Sequence, residues 1–309
     1  MVPELQSRVP YDWPNRKEWF YAPFPVEEYK KRVARLAQSC ADNGYDLAIV
    51  HSNKGTRGEL RYLANWDNFV GGDSLLVVPA SGAEPALITN SIFHGEPMHA
   101  CMFTSWIPNV FAADHPGTVS HKVSLTNLLA KVLNDYGLAS GKAAWIGKGM
   151  PQVLHQDIEK TLPSLSLEPA HSILDRMKAI KSNAEIEVMR KVGTIAGAGL
   201  LAGYKAAKPG VTEYKLAGSI YDAMMSAGAE EIPGPLAIVA GPRSGFKHVF
   251  PSDRVIEEGD MVCLDIAALY GGYFADVARG FYVGEPPAKI RKMLRLRCLM
   301  KCLQTLEPV

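Results

Sequence analysis

The feature that most constrains this chain is a pair of apolar runs hinged on two glycines. Residues 261–268 are almost unbroken in hydrophobicity and read as a strand buried on both faces. Gly271 and Gly272 supply the positive φ that a two-residue hairpin turn needs, and residues 274–283 form the returning strand. With the glycines at the centre of the turn, Asp265 pairs opposite Ala278 and Asp276 opposite Ala267. The two carboxylates then sit diagonally on one face, with Cβ atoms roughly 7 Å apart. A loop one residue longer would put them on opposite faces. An ionised carboxylate in an apolar strand costs free energy unless something pairs with it. Arg279 falls on the other face in this register. A cation shared by both aspartates is therefore the better partner, and hard divalent ions take oxygen ligands. For either aspartate alone, a turn-forming role is the simpler reading.

Length allows about two domains, and 47% hydrophobic residues can build real cores. A net charge of +1 gives no reason to expect nucleic acid or an anionic membrane surface. The sequence shows no signal peptide and no membrane span. Five cysteines without a disulfide-like pattern point to a reducing cytoplasm.

Residues 1–23 read as a polar arm carrying Trp13, Trp19 and Tyr21. An α/β amino-terminal domain is expected over residues 24–172. It opens with an amphipathic helix over 26–43, preceded by Pro25 and closed by Gly44. Strands are expected at 46–52, 74–79, 85–89 and 142–146, and helices at 120–136 and 151–161. Residues 163–170 read as a loop and short strand, with the domain boundary near 173–178. A helix follows from Ser182, with Glu185 completing a capping box, and ends at Lys208-Pro-Gly. Another runs from Thr212 to Gly228, then a strand at 237–240, a histidine-bearing loop and the aspartate hairpin.

Four blocks in order carry a family resemblance: KAIKSNAEIEVMR from Lys178, KPGVTE from Lys208, AGPRSGFKH from Ala240 with PSDR from Pro251, and the hairpin. Together they resemble the pita-bread metallohydrolases, which include Xaa-Pro dipeptidases, Xaa-Pro aminopeptidases, methionine aminopeptidases and creatinases. The resemblance covers residues 178–284 well and 24–171 more loosely, as a creatinase-type amino-terminal domain. It implies a partial pita-bread α+β catalytic domain over 178–309, with only the first of two halves. It implies that Asp265 and Asp276 are metal ligands for divalent Mn, Co or Zn, and that His248 is catalytic, contacting substrate. It also implies a small peptide or amide substrate, attacked by a metal-activated water, and a homodimer.

His248 lies in a loop whose Gly241, Arg243 and Gly245 suggest an open, mobile segment, and histidine suits proton transfer near neutrality. Creatinases lack acids at the places of Asp265 and Asp276, which favours the metal-dependent branch here. The family's remaining ligands, a histidine and two glutamates, are missing: after Gly284 there is no histidine, and the acids are Glu285 and Glu307. A truncated or frameshifted reading frame is therefore expected, with an incomplete site and weak or no activity. The tail is basic and apolar, and Cys298 and Cys302 read as inert thiols. Asp67 and Asp73 read as a solvated loop, or one facing a partner's active site. His94 and His99 are poor metal candidates, and His51, His115, His121, His155 and His171 show no constellation. Two alternatives stand beside the hydrolase: a non-catalytic folded remnant or dimerisation module, and a metal-free amidinohydrolase relative.

Overall fold

The computed structural model describes residues 22–68, 72–90, 105–113, 123–233, 237–246 and 248–292. The expectations for the amino-terminal arm, His94, His99, His115, His121 and the tail cysteines fall outside them. The chain divides into two units, Met1–Ala184 and Glu185–Val309. The division comes later than the 173–178 stretch because His171–Ala179 is a helix that buries Ile173, Leu174 and Met177 within the first unit.

The first unit is a mixed six-stranded sheet between helices. Its strands are β1 (Leu47–Ser52), β2 (Ser74–Pro79), β3 (Ala86–Asn90), β4 (Asn109–Ala113), β5 (Lys142–Ile146) and β6 (Ser166–Pro169), in the order β4-β3-β2-β1-β5-β6. Every residue of β1 and β2 is buried, as continuous apolar runs at a sheet centre require. Leu47, Ile49, Leu75 and Val77 face the helices α3 (Leu125–Asp135) and α4 (Gln152–Thr161). Helices α1 (Val26–Asp42) and α2 (Gly58–Ala64) pack on β1 together with the alternate residues. Ser124 caps α3 by accepting from the Asn127 amide. Helix α5 (His171–Ala179) packs on α1 and β5.

Within this unit, two polar readings from the sequence are corrected. Asp67 is no solvated loop residue: its carboxylate lies 2.8 Å from Arg61 Nη1 and 3.4 Å from Arg57 Nη1. His51 does sit in a constellation, with Nε2 2.7 Å from Asp73 Oδ1 and its ring stacked on Trp145. Both pairs join residues that local pattern could not connect.

The second unit is a helix pair on a three-stranded antiparallel sheet. Helices α6 (Asn183–Ala206) and α7 (Glu213–Ser226) precede β7 (Ala237–Ala240), β8 (Met261–Tyr270) and β9 (Tyr273–Tyr282), in sheet order β7-β8-β9. Gly199 and Gly203 let α6 come close. A Cβ at Gly203 would lie 2.7 Å from Leu264 Cδ1 and 2.9 Å from Ile220 Cδ1. The core joins Val192, Ile195, Leu216, Ile220, Met224, Leu264 and Ile266. At the hairpin tip, Tyr273 donates to the buried Glu185 at 2.6 Å and Lys191 donates to Tyr270 at 3.0 Å. Among the described residues no strand pairs with the outer edge of β9. No helix among them is long and apolar enough to cross a membrane.

Candidate functional site

The hairpin turns at Gly271 and Gly272, with φ of 61° and 80°, the left-handed pair that a primed turn demands. Asp265 pairs with Ala278 and Asp276 with Ala267, the register read from the sequence. Both aspartates therefore project from one sheet face, and Leu264, Ile266 and Val277 from the other, onto the helix pair. Arg279 pairs opposite Leu264 and donates to the Ala278 carbonyl, so it gives neither aspartate a counter-charge.

Asp265 is half-buried and Asp276 exposed. Neither has a hydrogen bond or ion pair within the described residues. Two unpartnered carboxylates at diagonal ladder positions are oxygen donors suited to a hard divalent ion, so the chemistry of the donor set fits a metal. No group of three or more His, Cys, Asp or Glu side chains gathers around them among the described residues. Cys263 shares their face, and burial, reinforced by the charge of Asp265, pushes its thiol upward.

The histidine loop leaves the end of β7; Phe246, His248 and Phe250 are exposed, while its ends are tied down. Residues Gly241–Gly245 form a tight 3-10 turn. Beneath it lies Glu213, the first residue of α7, fully buried. Its Oε1 accepts from the Ala240 amide at 2.8 Å. Its Oε2 accepts from Arg243 Nε at 3.1 Å, the Ser252 amide at 2.9 Å and Ser252 Oγ at 2.7 Å. Arg243 also donates to the Phe250 carbonyl at 2.7 Å.

A second ion pair closes the base of the loop. Arg254 holds Asp260 through two hydrogen bonds of 2.6 and 3.0 Å, and the Glu257 amide donates to the same carboxylate. Burial opposes ionisation of Asp260, but Arg254 and the amide outweigh it and hold the carboxyl below its ordinary range. Gly241, at φ 58°, packs against this pair so closely that a Cβ would lie 2.4 Å from Arg254 Nη2. His248 is exposed near the top of the loop with a left-handed φ of 54°. Sequence reasoning missed Glu213, which it read as part of a helix start. An acid beside Thr212 at a helix N-terminus gives no sign of being buried.

Residues 187–308 match the model of metallopeptidase family M24. Over 289 residues the chain is 32% identical to the probable dipeptidase PepE of Mycobacterium tuberculosis, covering 86% of this chain and 67% of that protein. The chain belongs to metallopeptidase family M24. A second relative is an Xaa-Pro dipeptidase of Pyrococcus horikoshii, 28% identical over 169 residues, covering 54% of this chain and 48% of the relative. Among solved structures, the X-Pro aminopeptidase of Thermotoga maritima superimposes with a TM-score of 0.71 at 22% identity, over 84% of this chain and 67% of that one. This likeness establishes the fold: the second unit has the helix, helix, strand, hairpin order of one half of a pita-bread domain. The chain spans about half the length of the Pyrococcus relative and about two thirds of the other two.

Proposed function

We propose that this M24 chain serves a metal-dependent hydrolase acting on the peptide or amide C–N bond of Xaa-Pro-type substrates. Asp265 and Asp276 are the metal-holding residues, and His248 is the group that meets the substrate. The observation that carries the reading is the shared face: two carboxylates at diagonal positions, neither with a partner of its own.

When bound, a divalent ion supplies Lewis acidity and lowers the pKa of a coordinated water. Each aspartate offers carboxylate oxygens from a rigid strand, so the donors are fixed before any ion arrives. Two carboxylates close together on one face favour cation uptake there. His248 can donate a hydrogen bond to a substrate oxygen or exchange a proton there. Two carboxylates fill only part of the coordination shell of such an ion. Metal binding and turnover by the 309-residue chain are therefore expected to be weak.

Purified protein should be assayed on Xaa-Pro dipeptides with Mn²⁺, Co²⁺ and Zn²⁺. Any turnover should disappear with chelator and in the Asp265→Asn variant. Turnover that survives both would overturn the metal-dependent reading.

A further inference from the structure

We propose that Glu213 is a positioning residue for His248, holding the histidine loop in the geometry its chemistry needs. The role assigned to His248 rests on the reading above; the clamp itself rests on geometry alone.

Four hydrogen bonds converge on one fully buried carboxylate, and they come from both sides of the histidine. Ala240 and Arg243 lie upstream of His248, and Ser252 lies downstream. Arg243 bridges the two sides by reaching the Phe250 carbonyl. A carboxylate is the group for this place because every neighbour is a donor and a carboxylate only accepts. A glutamine would turn an NH₂ towards at least one of those donors.

His248 itself adds an independent observation. Among the described residues, Asn65 and His248 are the non-glycine residues with positive φ. That conformation is sterically unfavourable for a residue with a Cβ and persists where the surroundings over-determine it. A loop tied on both sides to one buried anion is such a surrounding. Helix α7, the end of β7 and the segment after the loop thus act through Glu213 to fix where the imidazole stands.

The test compares wild type, Glu213→Gln, Ser252→Ala, His248→Ala and the Glu213→Gln/His248→Ala double variant. Two readouts need no turnover: trypsin cleavage after Arg243 and Arg254, and carbethoxylation of each histidine read peptide by peptide. In Glu213→Gln, cleavage at both sites should accelerate at least tenfold and His248 labelling should change, with His51 and His155 unaffected. Ser252→Ala keeps the amide bond and should shift both in the same direction by less; it serves where the glutamine variant does not fold. Where turnover is measurable, Glu213→Gln should lower kcat more than it raises KM, and should cost nothing further in the His248→Ala background. Unchanged cleavage and labelling in both clamp variants would overturn the proposal. So would additive losses in the double variant, or changes spread equally over all histidines. Wild-type turnover that survives chelation counts against the proposed hydrolase; weak or absent turnover accords with two carboxylates alone, and the clamp is then judged by the first two readouts.

Discussion

Asp276 pairs directly with Ala267, two residues along β8 from Asp265, so both carboxylates stand on the same face of the β8–β9 hairpin. That relationship depends on a turn of two residues. One residue more or less in the loop would send one aspartate into the helix-facing core. The turn is therefore as much a part of the candidate metal centre as the aspartates.

The first prediction concerns that turn. Gly271 holds a φ of 61°, where an ordinary side chain costs roughly 1–2 kcal/mol and asparagine much less. Gly271→Val should lower the unfolding free energy by about that amount, and Gly271→Asn by clearly less. Chemical denaturation of the three proteins checks this; equal stabilities would contradict it.

The second sets two glycines of α6 against each other. A Cβ at Gly197 meets nothing within 4 Å, whereas one at Gly203 would press on Leu264 and Ile220. Helix propensity favours alanine by about 1 kcal/mol at either place. Overpacking costs roughly 1–3 kcal/mol, so it outweighs propensity at Gly203 alone. Gly197→Ala should raise the denaturation midpoint and Gly203→Ala should lower it.

Acid sensitivity follows from Asp260, whose carboxyl is held below its ordinary 3.8 by Arg254 and the Glu257 amide against the opposing effect of burial. A depressed folded-state value means the stabilisation is present above the unfolded value and is lost as pH falls through the folded one. The histidine loop should hold its protection from proteolysis down to about pH 4 and lose it below that range. In Asp260→Asn the loop should be more sensitive already at neutral pH, and this acid step should vanish. Pepsin across the acid range reads the acid step, and trypsin at neutral pH reads the sensitivity of the variant.

What the sequence disclosed was local, and what it hid was not. The hairpin register was legible because Gly271 and Gly272 set the loop length and strand periodicity does the rest. β2 and β5 were legible as short apolar runs between turn residues. Helix α2 and strand β4, seven and five residues long, carry too few residues to establish a period and escaped notice. The anchoring of the histidine loop was hidden for a different reason. Its glycines suggest freedom, but its order comes from Glu213, whose partners Ala240 and Ser252 lie 27 and 39 residues away in sequence. The same holds for His51 in β1 and Asp73 just before β2, 22 residues apart in sequence. Buried polar pairings of this kind leave no periodic trace.

The most direct test of the account is whether the shared face of Asp265 and Asp276 binds a cation. Mn²⁺ titrated into the purified protein and followed by the loss of its free-ion electron paramagnetic resonance signal measures this without turnover. The account predicts weak, saturable binding in wild type that is lost in Asp265→Asn and in Asp276→Asn, with folding unchanged. Binding of the same strength in both variants would contradict it, as would no detectable binding in wild type at millimolar Mn²⁺.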